Sequence, residues 1–245
     1  MTRDEPEHEG RGTAKQAAAE AAAALIGEGM VVGLGTGSTA TLFLEALASR
    51  VASGLKITGV ATSRRTQELA SRLAIPVSSL ESEPRLDLDI DGADEIDPQL
   101  NALKGGGGAL LHEKIVALAS SELVIIADES KLVSQLCTTL PVPVEVIAFG
   151  WPSTVRRIEA TGATVTVRGG QVSPYITDGG NMILDVQVSR GSDLFECVEQ
   201  LKSLTGVVDH GIFRQVAAQA LIGHADGSVT RLSRPAGGAD THHVL

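Results

Sequence analysis

A chain of 245 residues with a formal net charge of -10 is 43 % hydrophobic but only 2 % aromatic. Its core must therefore be packed from Ala, Val, Leu and Ile, which favours an α/β architecture of closely spaced layers in one large domain or two small ones. The negative balance and the lack of any Lys/Arg run exclude a nucleic-acid surface. Cys137 and Cys197 form no CxxC or Cys/His cluster, which excludes a disulfide scaffold and a structural zinc site.

The polar opening MTRDEPEHEGRG has no apolar leader segment. Residues 1–13 and 234–245 read as flexible termini, and the pair His242 and His243 as an exposed, inert feature. An alanine-rich helix is expected over 14–26, then a buried strand over 30–34 and a Gly-rich loop leading into a second helix over 41–50. A strand at 55–60, a helix at 66–73 and short strands at 75–77 and 86–90 follow. After a glycine run come a helix at 110–119 and a strand at 123–128. This alternation predicts a Rossmann-like doubly wound, mostly parallel sheet formed by 14–138 and 209–233.

The pattern changes near Leu140. Strand, helix, strand, strand, helix, strand over 141–213 is the βαββαβ order of an inserted ferredoxin-like α+β domain, placed at 139–208. Strands near 220–222 and 228–230 return to the first domain. No stretch approaches the ~18 apolar residues of a membrane helix, so the chain reads as cytoplasmic, with a small molecule as partner.

Parallel sheets collect functional loops at the carboxyl ends of their strands, so the loops after Leu34, Ile90 and Ile126 converge. In GLGTGSTA the glycines let backbone N–H groups approach an anion, Ser38 and Thr39 add hydroxyls, and the helix that follows points its positive end at the same spot. The same residues, Gly35 to Ala40, fit a GxGxxA dinucleotide pattern. The expected acid ~20 residues on is replaced by Ala61-Thr62-Ser63-Arg64-Arg65, whose arginines would suit a 2′-phosphate instead.

The stretch DGADEIDPQLNALKGGGGALLHEK gathers four acids in seven residues, then Lys104, four consecutive glycines and Glu113-Lys114 on a helix. Gly92 permits a bend between Asp91 and Asp94, and the glycine run costs backbone entropy unless close approach is needed. A carboxylate beside a lysine and two aspartates is one way to place a general base. DESK, after a buried strand, reads as a turn capped by Asp128 or Ser130 that leaves Lys131 free to meet phosphate, as Lys15 is.

GLGTGSTA, TSRRT, DGADEID, KGGGGAL with HEK, ADESK, LPVPVEV and TDGGN occur in the order seen in ribose-5-phosphate isomerases of the A type, and the chain resembles that family from about Lys15 to Val229. The resemblance implies a metal-free, cofactor-independent aldose-ketose isomerase of the non-oxidative pentose phosphate pathway. Glu113 is then similar to the family's base, and Asp91, Asp94 and Lys104 to the groups that hold the sugar oxygens and stabilise the developing oxyanion. Thr36, Gly37, Ser38 and Thr39, with Lys15 and Lys131, match the substrate loop and anion site. Gly92 and Ala93 match the bend between the aspartates, and Gly105, Gly106 and Gly107 the backbone beside the sugar. A homodimer or homotetramer is implied. Gly108, His112 and the TDGGN spelling depart from the commoner family residues. The rivals are an NADP-dependent oxidoreductase and a sugar-phosphate sensor; the short acidic start leaves no room for a sensor's DNA-binding helices.

Overall fold

The computed structural model describes residues 5–189 and 191–234, which leaves His242, His243 and most of the predicted flexible ends outside the described residues. In chain order the elements are α1 (Glu5–Leu25), β1 (Val31–Leu34), α2 (Ser38–Ala52), β2 (Thr58–Ala61), α3 (Arg64–Arg72), β3 (Val77–Ser78) and β4 (Leu88–Gly92). There follow β5 (Glu95–Ile96), β6 (Ala102–Leu103), α4 (Leu110–Ala119), β7 (Leu123–Asp128), β8 (Val142–Val146), α5 (Trp151–Glu159) and β9 (Thr164–Val167). The chain ends with β10 (Met182–Gln187), α6 (Leu194–Lys202), β11 (Val207–His210), β12 (Ile212–Phe213), β13 (Ala217–Gly223) and β14 (Val229–Ser233). Helix α1 thus begins at Glu5, ahead of the alanine run from which a start at 14 was expected.

The main sheet has seven strands in the order β14-β13-β7-β4-β1-β2-β3, all parallel except the edge strand β14. Every residue of β7 is buried, as a central parallel strand covered on both faces requires. The two-residue period then sorts its side chains. Val124 and Ile126 join the core under α1 and α2, while Leu123, Ile125 and Ala127 join the opposite core with Phe213. In β4, Leu88 and Ile90 face the first core, so Asp89 and Asp91 face the other side. Alanines at 18, 19, 22 and 23 let α1 pack closely, and Arg50 of α2 caps its end by donating to the carbonyls of Ala23 and Ile26.

The β8-α5-β9-β10-α6-β11 segment forms a four-stranded antiparallel sheet ordered β11-β8-β10-β9, the split βαβ arrangement. Val142, Val144, Val146, Leu184 and Val186 meet Ile158, Val198 and Leu201 in its core.

Two further features differ from expectation. Residues 207–213, read as one strand, are broken at Gly211: β11 stays in the four-stranded sheet, whereas β12 pairs with β6 in a small sheet ordered β12-β6-β5. The break has a steric and a hydrogen-bonding cause. Gly211 donates to the Pro143 carbonyl at 2.7 Å and accepts from the Lys104 amide at 2.8 Å, with space for no side chain. The β5–β6 hairpin was not among the expected elements. Asp97 builds it by accepting from the amides of Gln99 and Asn101, each at 2.9 Å, which holds Leu100 at a positive φ of 60°.

Among the described residues, no helix is long and apolar enough to cross a membrane.

Candidate active site

A cleft of about 130 Å³ opens at the carboxyl ends of β1 and β4. The β1–α2 loop supplies Thr36, Gly37, Ser38 and Thr39, and β4 with its exit supplies Gly92, Ala93 and Asp94. Lys104, Gly105, Gly106 and Gly107 form a third wall, Glu113 projects from α4, and Lys15 and Lys131 stand at the edge. Apart from Asp91, every candidate site residue lines this one cleft. Asp91 lies just beneath it, fully buried, with Oδ2 against the Lys104 ammonium.

The four acids divide by task. Glu95 accepts from the Cys137 amide at 2.6 Å and Asp97 organises the hairpin, so both are structural. Asp91 accepts at Oδ1 from the amides of Thr36 at 3.0 Å and Gly92 at 2.7 Å, which ties the first loop to β4. Gly35 leaves room for that carboxylate; a Cβ there would lie 2.2 Å from its Oδ1. Asp94 accepts from the Gly106 amide at 2.8 Å.

Lys104 is the centre of the charge arrangement. Its Nζ lies 2.9 Å from Asp91 Oδ2 and 3.5 Å from Glu113 Oε2, and donates to the Gly92 carbonyl at 2.5 Å. Burial by itself would lower its pKa, but Asp91 and then Glu113 hold it above the ordinary lysine value, so it is a cation. Burial raises Asp91, against the pull of Lys104 and the amide hydrogen bonds. Burial likewise pushes Glu113 up to about 8, with Lys104 opposing and Asp91 and Asp94 adding to the rise. A carboxylate with a pKa near the working pH is a competent general base.

The other end of the cleft suits an anion. Gly37 precedes α2 with no side-chain cap, so the first amides of that helix face the cleft, where the helix dipole is positive. Lys15 donates to Ser38 Oγ at 3.1 Å. Asp128 caps the 3-10 turn Glu129–Lys131 by accepting from the Ser130 amide at 3.1 Å, which sets Lys131 at the rim.

Several residues that shape the site were not read from the sequence. The TSRRT segment serves through its hydroxyls: Thr62, Ser63 and Thr66 surround Thr36 Oγ1 at 2.8, 2.8 and 3.0 Å. Arg64, considered for a 2′-phosphate, is committed to Asp178 through its amide at 2.8 Å and its guanidinium at 3.2 Å. In TDGGN, Thr177 and Asn181 donate to the buried Glu145 at 3.0 and 2.9 Å, a structural use. Phe213 lies beneath Lys104 with its ring centroid 5.5 Å from Nζ. His112 is not among the cleft's lining residues.

A doubly wound sheet whose crevice joins an anion cradle to a buried carboxylate, lysine and carboxylate defines an α/β protein equipped for acid–base chemistry on a small anionic substrate. Residues 58–227 match the family described as ribose 5-phosphate isomerase A (phosphoriboisomerase A). The chain is 51 % identical over 219 residues to ribose-5-phosphate isomerase A of Synechococcus sp. (strain JA-3-3Ab), covering 88 % of this chain and 95 % of the relative. Its fold is similar to that of ribose 5-phosphate isomerase from Plasmodium falciparum, with a TM-score of 0.85 and 40 % identity over 90 % of this chain and 98 % of the other. It is also similar to a D-ribose-5-phosphate isomerase solved in complex with phospho-erythronic acid, with a TM-score of 0.84 and 38 % identity over 90 % and 97 % of the two chains. The chain belongs to the ribose 5-phosphate isomerase A family.

Proposed function

We propose that the chain interconverts D-ribose 5-phosphate and D-ribulose 5-phosphate in the non-oxidative pentose phosphate pathway, with Glu113 moving a proton between C2 and C1 through a cis-enediolate. The observation that carries this reading is the placement of the buried Glu113 beside a cationic lysine, at 3.5 Å, in a cleft whose other wall is the uncapped start of a helix. A phosphorylated sugar acid bound by the related enzyme fits the same division of charge.

In the aldose-to-ketose direction the Glu113 carboxylate takes the proton from C2 of the open-chain sugar, and the electron pair passes to the carbonyl oxygen. Lys104 meets the negative charge that develops there. It is held in place by Asp91, so little reorganisation is needed as charge forms; loss of one such donor typically costs about 3 to 4 kcal/mol in the transition state. The C2 hydroxyl proton passes to the C1 oxygen, and protonated Glu113 returns its proton to C1, which leaves the carbonyl at C2. Asp94, which lines the cleft, holds sugar hydroxyls and assists ring opening, while Asp91 beneath it acts by holding Lys104 and the Thr36 amide. The amides of α2, Ser38, Thr39, Lys15 and Lys131 anchor the phosphate, fixing the distance from anion to reacting carbons.

The test is isomerisation of ribose 5-phosphate with chelator present and nucleotide absent, following deuterium uptake from solvent at C1 or C2. Turnover with exchange in the wild type, both lost in Glu113→Gln, is the expected result. Binding without turnover in the wild type would turn the assignment toward a sensor. On the same reading the protein is cytoplasmic and assembles as a homodimer or homotetramer. Phe149, 94 % exposed on the four-stranded unit, supports self-association, which light scattering after gel filtration would measure.

A further inference from the structure

The segment 168–177, between β9 and β10, reaches from the four-stranded unit to the back of the glycine run. Arg168 donates from Nη1 to the carbonyls of Gly105 at 2.7 Å and Gly106 at 3.1 Å. Its Nε donates to Asp185 Oδ2 at 3.0 Å and its Nη2 to Oδ1, a two-point grip that fixes the guanidinium plane. The Tyr175 hydroxyl donates to the Gly107 carbonyl at 3.1 Å. Its ring covers Gly108, where a Cβ would lie 2.4 Å from the ring and φ is +81°, so this chain requires glycine there. The Tyr175 amide donates to the Arg168 carbonyl at 2.8 Å, which joins the two grips into one piece.

Three successive carbonyls are therefore held from outside the cleft. On the inner side the same segment is tied by the Gly106 amide to Asp94 at 2.8 Å, directly after the lysine that reaches Asp91 and Glu113. Glycines impose little conformational preference of their own, so four in a row adopt one geometry only if their neighbours impose it. Neither Arg168 nor Tyr175 lines the cleft.

We propose that Arg168, held by Asp185, and Tyr175 are positioning residues for the isomerisation: they fix the backbone of residues 105–107 so that Lys104 and Asp94 stay aimed at the sugar. The proposal rests on the isomerase reading of the cleft. A grip that only joined two parts of the fold would change melting and leave the chemical step alone. A positioning grip changes turnover, because a displacement of about 1 Å at a reacting group can lower the rate about 100-fold.

The experiment compares wild type, Arg168→Lys, Tyr175→Phe and the double variant Arg168→Lys with Asp185→Asn. Steady-state kinetics are read with ribose 5-phosphate, and amide hydrogen exchange of residues 105–108 without substrate. Arg168→Lys keeps the charge but not the fork. It should lower kcat about 10- to 100-fold, with KM within about threefold and faster exchange at 105–108. Tyr175→Phe should show a smaller loss of the same kind. The double variant should be no slower than Arg168→Lys, since both changes release one grip. Wild-type kcat in Arg168→Lys, unchanged exchange, or a loss confined to KM would overturn the proposal. If Arg168→Lys melts early, Tyr175→Phe, which loses one oxygen and keeps the ring, decides by the same split. A failure of the isomerase reading would show separately, as an inactive wild type.

Discussion

The ammonium of Lys104 stands 3.5 Å from Oε2 of Glu113, and both side chains are almost wholly buried. Burial raises the Glu113 carboxyl to about 8 and the lysine opposes that rise, so the pair sets how much base exists at a given pH. Because Glu113 must be ionised to take the first proton, kcat/KM is expected to increase as pH rises through about 8, with an apparent value that belongs to the coupled group of Glu113, Asp91 and Lys104. A rate already at its plateau at pH ~5, where an ordinary glutamate of pKa ~4.3 is ionised, would sink this assignment.

Glu113→Gln keeps the shape and removes the base. Turnover should fall by about 10²- to 10⁴-fold, the usual range for general acid–base help, while sugar phosphate still binds. Calorimetric titration with ribose 5-phosphate checks the second half; loss of binding in step with turnover would mean that Glu113 holds the substrate rather than reacts with it.

Lys104→Met makes two separable predictions. Loss of the oxyanion partner should lower kcat about 100- to 1000-fold with a smaller change in KM. The lysine also lowers the Glu113 pKa, so its removal should move the rising limb of the residual activity to higher pH. An unmoved limb would show that the two side chains are not coupled.

Gly211→Ala tests how the fold carries the lysine. Its Cβ would lie 2.1 Å from the Lys104 carbonyl oxygen and 3.1 Å from Pro143 Cδ, so backbone must shift. Overpacking of this kind costs about 1 to 3 kcal/mol. A lower thermal midpoint together with reduced kcat is expected, because the strain falls on Lys104, which meets the oxyanion in the proposed reaction. A wild-type midpoint would mean that the 207–213 break is not enforced by contact at Gly211.

The parts of this fold that repeat a period were legible in the sequence. LVIIAD is apolar for five residues because β7 is covered on both faces, and GLGTGST precedes a helix because an anion cradle needs bare backbone before a helix start. The shared crevice of the parallel strands accounts for the loops after β1, β4 and β7; the grouping of Asp91 with Lys104, which follows the antiparallel β6, and with Glu113 on α4 was legible through the family resemblance. What was not legible depends on distant pairing. The two-residue strands β5 and β6 have no periodicity and form beside Ile212 and Phe213. Arg168 and Tyr175 meet glycine carbonyls 63 and 68 residues away in the chain, a contact written in no local pattern. In TSRRT the two arginines drew attention by charge, whereas the hydroxyls of Thr62, Ser63 and Thr66 hold the substrate loop.

Asp89 carries a consequence for stability. It is fully buried on the face of β4 that also bears Asp91, and neither carboxylate oxygen has a hydrogen-bond partner among the described residues. Burial raises its pKa well above the ordinary value, Asp91 adds to the rise, and Lys104 opposes it, so Asp89 holds its proton to higher pH in the folded protein than in the unfolded chain. The unfolded chain ionises it with a pKa of ~3.9. Its contribution to stability is therefore fully present below that pH and is lost as pH climbs toward the folded value, because unfolding then releases a proton that the folded state retains. Asp89→Asn removes this titration and leaves Glu113, which acts in the same direction, in place. Denaturant unfolding of both proteins from pH ~4 upward should show the variant gaining on the wild type as pH rises. Parallel curves would mean that Asp89 is ionised in the fold, and that Lys104 serves as counter-charge to three carboxylates rather than two.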